Sequence, residues 1–229
     1  MESVLTPHPF QSYQPDWILG ILLLCFAMAA WSQYFYRNRL KQILTAPFLK
    51  RYMSILLREG NLFSDRISVP LSLIYFLTVP LLAYETHSLL NIVPVRLNSF
   101  LLFLILCIAL GIYWIAKYIL MRLLGGIFRT YQTTREYLLN ILVINFITGI
   151  TLLPFLTLMV YLKSPFLLYI SLAIFGISFL FRFVRGFLIG ISLKKFSYLF
   201  LFVYLCSLEI LPLLILLKIL VTFTKTAGA

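Results

Sequence analysis

The residue whose type and position could do chemistry in this sequence is Glu209, which stands at the middle of a long apolar run. The run extends from Phe196 to Thr222, FSYLFLFVYLCSLEILPLLILLKILVT, and is 27 residues long. At ~1.5 Å per helical residue it spans ~40 Å, more than the ~30 Å hydrocarbon core of a bilayer. An acid at that depth is costly unless it faces the interior of a helix bundle, protonated or paired. We therefore interpret Glu209 as a carboxyl group inside a transmembrane bundle.

Small polar features surround this carboxyl group. Pro212 lies one turn beyond it and leaves the carbonyl of Leu208 without its usual donor, and Ser207 adds a hydroxyl. Asn145, in another apolar run, completes the candidate buried polar site. Other potential partners at membrane depth or at its cytoplasmic edge are Tyr75, Thr78, Tyr204, Arg182 and Arg185, and spacing does not choose among them. The carboxyl either binds a proton in a polar pathway or fixes packing by a hydrogen bond to a neighbouring helix.

The composition of the chain indicates whether these residues lie in water or in a membrane. The chain has 229 residues, of which 62% are hydrophobic and 11% charged, and its mean hydropathy is +1.00. Too few polar groups remain to cover a water-soluble surface, so the sequence predicts an integral membrane protein with one membrane domain. The net charge of +12 comes from Lys and Arg residues between apolar runs. Membrane topology explains them better than nucleic-acid binding does.

The apolar runs predict an all-α bundle of six transmembrane helices. The predicted spans are 17–34, 67–84, 99–119, 137–162, 166–183 and 196–222, in a membrane domain over 17–222. Tails of 1–16 and 223–229 flank this domain, and the first sixteen residues contain no Lys or Arg, so we expect no cleaved signal peptide. Lys117, at the end of the third span, is predicted to extend outward to the membrane surface.

A cytoplasmic amphipathic segment is predicted over 36–66, between the first two spans. Within it, Pro47 to Glu59 is typical of a short helix with an apolar face and with Lys50, Arg51 and Arg58 as its basic side chains. Such a helix lies in the membrane surface with its cations toward anionic headgroups. A solvated connector helix packed on its own bundle is the open alternative.

The basic residues predict the orientation. With six spans, one side keeps only Arg96, Lys163, Lys218 and Lys225, which leaves fifteen of the nineteen basic residues on the other. The positive-inside rule then places both termini outside and the basic face in the cytoplasm. Arg182, Arg185, Lys194 and Lys195 bracket the loop before the last span. They are candidate contacts for lipid headgroups or a partner, or simple topological anchors.

The sequence contains no recognisable catalytic, cofactor-binding or metal-binding motif. Cys25, Cys107 and Cys206 lie far apart inside predicted spans, and His8 and His87 are isolated. We therefore expect no enzyme activity, no cofactor and no metal site. The first hypothesis is a non-enzymatic accessory or scaffold subunit of a cell-envelope complex, with membrane lipids and membrane proteins as partners. The alternative is a proton- or ion-coupled small-solute transporter in which Glu209 titrates.

The C-terminal segment also carries a family resemblance. The phrase YLCSLEILPLLILLK, from Tyr204 to Lys218, with Arg185 and Gly186 upstream, resembles an uncharacterised family of multi-spanning membrane proteins from Bacteroidota, classed as a domain of unknown function. The resemblance implies a location in the bacterial inner membrane, with Glu209 and Pro212 as family features. It implies no particular activity.

Overall fold

Long apolar segments in hydrocarbon fold as helices because each backbone N–H must find its acceptor within the segment itself. The computed structural model describes residues 15–47, 66–90, 98–127 and 131–191, and the secondary structure of these ranges is helical, as the sequence predicts. The helices are α1 Trp17–Thr45, α2 Ser68–Leu90, α3 Ser99–Ile127, α4 Tyr131–Leu162 and α5 Pro165–Ile191. Each is long and apolar enough to cross a membrane.

Each of the first five predicted spans corresponds to one of these helices, but most of the helices continue beyond the apolar run. The first prediction ends at Tyr34, whereas α1 reaches Thr45 across a kink at Tyr36, whose φ of −130° and ψ of 32° are not helical. Residues 37–45, the beginning of the predicted amphipathic segment, are therefore helical. The rest of that segment from 48 to 65 lies outside the described residues, as does the sixth predicted span.

Helices α2 and α4 form the centre of the described bundle. Helix α4 packs against α5, α2, α1 and α3, and α2 packs against α4, α3 and α1. In its most apolar window α4 is 56% buried, whereas the corresponding window of α3 is only 11% buried. One apolar core joins α1, α2 and α4 through Cys25, Ile74 and Phe146. A second joins α2, α4 and α5 through Leu82, Leu156 and Leu168.

Side-chain contacts show which helix ends lie together. The ring of Trp17 at the start of α1 lies 5.3 Å from that of Tyr84 and 5.7 Å from that of Phe100, measured between centroids. We call this the tryptophan end. Met121 and Tyr137 pack together with Phe183 at the opposite end, where Arg185 donates to the carbonyl of Pro47. We call that the basic end. Successive described helices therefore run antiparallel.

The turn between α4 and α5 lies at the tryptophan end and is two residues long. Lys163 has a φ of 45°, and its N–H donates to the carbonyl of Met159 at 3.0 Å. A left-handed residue after the last helical turn is a common way to end a helix. Pro165 then begins α5, at the position where its missing N–H costs nothing.

Candidate functional site

A buried arginine joins α5 to α4 inside the bundle. Arg182 is 6% exposed, and its Nη1 donates a hydrogen bond to Oδ1 of Asn145 at 3.3 Å. Its guanidinium carbon also lies 5.0 Å from the centroid of the Phe179 ring. A cation among apolar side chains is stable only where polar and aromatic groups replace water around it. The structure therefore places Arg182 against α4, and it brings together Arg182 and Asn145, two of the residues singled out in the sequence.

The pair lines a cleft between α2, α4 and α5. The empty space of this cleft, including its open mouth, is about 210 Å³. Its lining residues are Tyr75 of α2, Ile144, Asn145 and Thr148 of α4, and Phe175, Ser178, Phe179 and Arg182 of α5. Five of these eight side chains carry a hydroxyl, amide or guanidinium group, so each of the three helices brings at least one polar group to the cleft.

Helical spacing explains why these side chains meet. On α5 the lining residues recur at steps of three or four, which puts Phe175, Ser178 and Arg182 on one face. On α4 Asn145 and Thr148 share a face in the same way. The hydroxyl of Thr148 donates to the carbonyl of Ile144 at 2.8 Å, which satisfies it within its own helix. The amide oxygen of Asn145, on the same face, accepts the hydrogen bond from Arg182.

Lys117 on α3 is a second buried cation. It is 1% exposed, and its Nζ lies 5.9 Å from the centroid of the Tyr113 ring. The prediction that Lys117 extends outward is therefore wrong. A lysine side chain reaches the membrane surface only from an outward-facing position of its helix. Helix α3 is oriented so that Lys117 faces inward, and its side chain is therefore buried.

The two buried cations lie at the same depth. Arg182 is seventeen residues from the start of α5, and Lys117 is eighteen residues from the start of α3. At ~1.5 Å per residue both lie ~26 Å from the tryptophan end. Asn145 is likewise seventeen residues before the end of α4 at that side. The bundle therefore contains a polar layer toward its basic end.

Asn140 extends this layer along α4. Its side chain is fully buried, and neither its amide nitrogen nor its amide oxygen has a hydrogen-bond partner within the part of the chain that the structure describes. It lies one turn before Ile144, on the same face of α4 as Thr148. A buried amide without such a partner costs free energy, because it has lost its hydrogen bonds to water.

At the tryptophan end, the buried carboxyl belongs to Glu85. This residue lies near the end of α2 and is largely buried, and Lys163 in the α4–α5 turn lies near enough for a favourable coulombic interaction. Glu85 lies ten residues, or ~15 Å along α2, from Tyr75, and it does not line the cleft.

The described residues divide the sequence-predicted candidates into two groups. Asn145, Arg182 and Arg185 are described, and Arg185 ties α5 to the end of α1 through Pro47. Outside the described residues lie Glu209, Pro212, Ser207, Lys50, Arg51, Arg58, Lys194 and Lys195. Sequence reasoning did not single out Thr148 and Ser178, although their i+3 and i−4 spacing to Asn145 and Arg182 is a usable signal. Among the described residues no group of three or more His, Cys, Asp or Glu side chains could hold a metal ion.

Comparison with known proteins gives a family but no characterised relative. No curated protein and no solved structure matches the chain. The family model described as a domain of unknown function, DUF4271, matches residues 18–220. This range includes all five described helices except Trp17, the first residue of α1, and most of the remaining C-terminal segment. With nearly its whole length matched, the chain belongs to the DUF4271 family.

Proposed function

We propose that this chain is a six-span protein of a bacterial inner membrane with both termini outside, and that the basic end faces the cytoplasm. The support comes from the charges of the described helices. At the basic end lie the cations of the α1 extension, Arg37, Arg39 and Lys41, together with Arg122 and Arg135. At the tryptophan end Lys163 stands in the α4–α5 turn. This asymmetry is the one that the positive-inside rule describes.

Within that membrane domain, we propose a non-enzymatic accessory or scaffold role in a cell-envelope complex. The observation that supports this proposal is that the buried polar side chains contact other groups of the protein itself. Arg182 bonds to Asn145, Arg185 bonds to Pro47, and Lys117 covers Tyr113. The first two contacts hold α5 against α4 and against the end of α1, and the third lies within α3. The cleft of about 210 Å³ is smaller than the ~300–1,000 Å³ that small-molecule sites occupy.

The partners would be anionic lipid headgroups at the basic end and membrane proteins along the outer helices. Lys50, Arg51 and Arg58, with Lys194 and Lys195, supply cations near the cytoplasmic surface. The outward face of α3 offers Ile108, Ile112 and Ile115, all well exposed. A partner helix would pack there in place of lipid, through close van der Waals contact.

The test is recovery of the tagged protein from its own membranes in a gentle detergent, combined with photo-crosslinking at single positions. A photoreactive amino acid at Ile112 or Ile115 should give one discrete adduct with a membrane protein that also co-purifies at near-equal amounts. The same amino acid at Leu139, which lies in the core, is the matched control and should give none. A protein that purifies alone, with no discrete adduct at any exposed position of α3 or α5, would contradict the scaffold role.

A second function is favoured by the depth of the buried cations. Ionisable residues inside membrane helices often mark a solute or proton pathway, and Arg182 with Lys117 forms such a layer. A proton- or ion-coupled transporter that uses Glu209 is therefore the alternative. Purified protein in liposomes, with a pH-sensitive dye inside, should then show a proton flux driven by a candidate solute. The same flux in Glu209→Gln would exclude that residue as the coupling group.

A further inference from the structure

We propose that the last turns of α1 bind one anionic phospholipid at the basic end of the bundle. Arg37 and Lys41 hold the lipid phosphate, and the rings of Trp31, Tyr34 and Phe35 contact the upper part of its acyl chains. We call these five residues the α1 lipid site. The site rests on the proposed insertion of the chain in a membrane. It depends on neither a partner protein nor an orientation, because lipid headgroups lie on both sides of a bilayer.

Three aromatic rings form a stack on the exposed side of α1. The ring of Trp31 lies 4.5 Å from that of Phe35, and the ring of Tyr34 lies 5.1 Å from that of Phe35, measured between centroids. All three side chains are more than half exposed, and Tyr34 is 83% exposed. Trp and Tyr collect at the boundary between hydrocarbon and headgroups, because their rings are apolar and their polar atoms find hydrogen-bond partners there. The stack is therefore suited to the level at which acyl chains join a headgroup.

The depth of the stack agrees with that boundary. Phe35 lies eighteen residues after Trp17, which stands at the tryptophan end, and this separation is ~27 Å along a helix. Because the hydrocarbon core is ~30 Å thick, a helix that enters the core at Trp17 leaves it near Phe35. Arg37 follows within ~3 Å and Lys41 within ~9 Å along the helix. Both cations therefore lie at the level of the headgroups.

The helical segment that carries the two cations is packed on its other face. After the kink at Tyr36, the side chain of Ile43 is buried in the core that α1 shares with α2 and α4, and Leu40 packs against the same core. Arg37 and Lys41 lie four residues apart, so they share a face of this segment, and both are exposed. The packed face holds the backbone in place, so that both cations are presented together beside the ring stack.

The chemistry of the α1 lipid site selects the class of lipid. A guanidinium binds a phosphate through two parallel hydrogen bonds, and an ammonium group binds it as a point charge. A zwitterionic headgroup carries its own cation, which competes for the phosphate, so a headgroup with a net negative charge is favoured. The ring stack lies below the headgroups and contacts acyl chains of the same lipid. An acidic protein segment at the membrane surface would not provide that second contact.

Trp31 itself can report which lipid lies beside it. In full-length protein with Trp17→Phe and Trp114→Phe, Trp31 is the remaining tryptophan, and bromine atoms on a neighbouring acyl chain quench its fluorescence. The protein is reconstituted in bilayers of phosphatidylcholine and phosphatidylglycerol, with the bromine first on one lipid and then on the other. We expect phosphatidylglycerol to bind beside Trp31 roughly five-fold or more tightly, because each basic residue near an anionic surface contributes about five-fold.

Removal of the two cations tests the site in the same background. With Arg37→Gln and Lys41→Gln together, the preference for phosphatidylglycerol should fall close to one. Arg122→Gln is the matched control, because Arg122 is an exposed cation at the basic end of another helix, α3, and it should leave the preference unchanged. An equal loss in the control would overturn the site, because the whole basic surface would then attract the lipid. Equal quenching by the two brominated lipids in the parent would also overturn it, and would favour an acidic protein segment as the occupant.

Native mass spectrometry provides a second measurement that keeps all three tryptophans. Protein released from detergent with added phosphatidylglycerol should carry one more tightly bound lipid than the variant with Arg37→Gln and Lys41→Gln. The same number of bound lipids in both would overturn the α1 lipid site even if the tryptophan substitutions disturb the fold. Both measurements use the purified chain alone, in lipid or detergent. A negative result here therefore leaves the scaffold role and the orientation to their own tests, and failure of those tests leaves the lipid site standing.

Discussion

The backbones of α2 and α4 meet at Tyr75 and Gly149, so closely that a side chain at Gly149 has no room. An ideal Cβ placed on Gly149 would lie 2.9 Å from the Cα of Tyr75 and 3.0 Å from its backbone nitrogen. Neither atom can move without shifting α2. Small residues permit such approaches between helices in membranes. The contact fixes Tyr75 beside Asn145 and Thr148, so it also sets the width of the cleft.

Gly149→Ala should therefore destabilise the bundle. Pushing α2 away from α4 costs about 1–3 kcal/mol, which outweighs the ~0.5–1 kcal/mol that alanine gains over glycine within a helix. The free energy of unfolding, measured by denaturing-detergent titration, is the readout. Gly176→Ala is the control, because a Cβ there meets nothing within 4 Å, and it should be neutral or slightly stabilising. Equal effects of the two substitutions would show that the close approach carries no cost.

Removal of the Asn145 amide should cost more than removal of a hydroxyl that bonds within its own helix. Asn145→Ala takes away one acceptor of Arg182, and a hydrogen bond to a charged group contributes about 1.5–3 kcal/mol. Thr157→Ala is the comparison, since its hydroxyl donates only to the carbonyl of Leu153 at 2.9 Å. We expect a smaller loss there, because a hydroxyl bonded to the i−4 carbonyl of its own helix adds little to stability. A loss for Thr157→Ala as large as that for Asn145→Ala would contradict this assignment of the buried pair.

The turn between α4 and α5 offers a stabilising substitution. Lys163 adopts a φ of 45°, a conformation that costs an L-residue about 1–2 kcal/mol and glycine almost nothing. Lys163→Gly should raise the free energy of unfolding by up to ~1 kcal/mol, after the greater freedom of glycine in the unfolded chain is subtracted. Ser164→Gly, at the next position, has no such strain to relieve and should not stabilise. A lower free energy of unfolding for Lys163→Gly would mean that the interaction of Lys163 with Glu85 contributes more than the backbone strain costs.

Hydropathy predicts the existence of the helices well and their environment poorly. Each described helix coincides with a predicted span because twenty consecutive apolar residues leave few alternatives. Their ends differ because α1, α3 and α5 stay helical past the apolar run, through residues such as Arg39 and Arg122 that hydropathy assigns to water. Lys117 shows the second difficulty. With apolar residues on every side of α3, the sequence pattern does not tell which face meets the bundle.

The candidate site was predictable only in part, for the same reason. Asn145 and Arg182 were recognised as polar residues near or within spans, but their pairing across 37 positions of sequence depends on how α4 packs on α5. Gly149 gave no sequence signal at all, because a single glycine in an apolar helix is compatible with many packings. Its role follows from the distance to Tyr75.

The orientation of the chain can be tested at the two ends of α4. Glu136 and Lys163 are both exposed and lie 27 residues apart, which is ~40 Å along a helix and places them on opposite sides of a bilayer. In a variant without native cysteines, Lys163→Cys should react with a membrane-impermeant maleimide added to intact spheroplasts. Glu136→Cys should react only after the membrane is opened. The reverse pattern would place the basic end outside and contradict the positive-inside assignment. Labelling of both positions in intact cells would show that α4 does not cross the membrane.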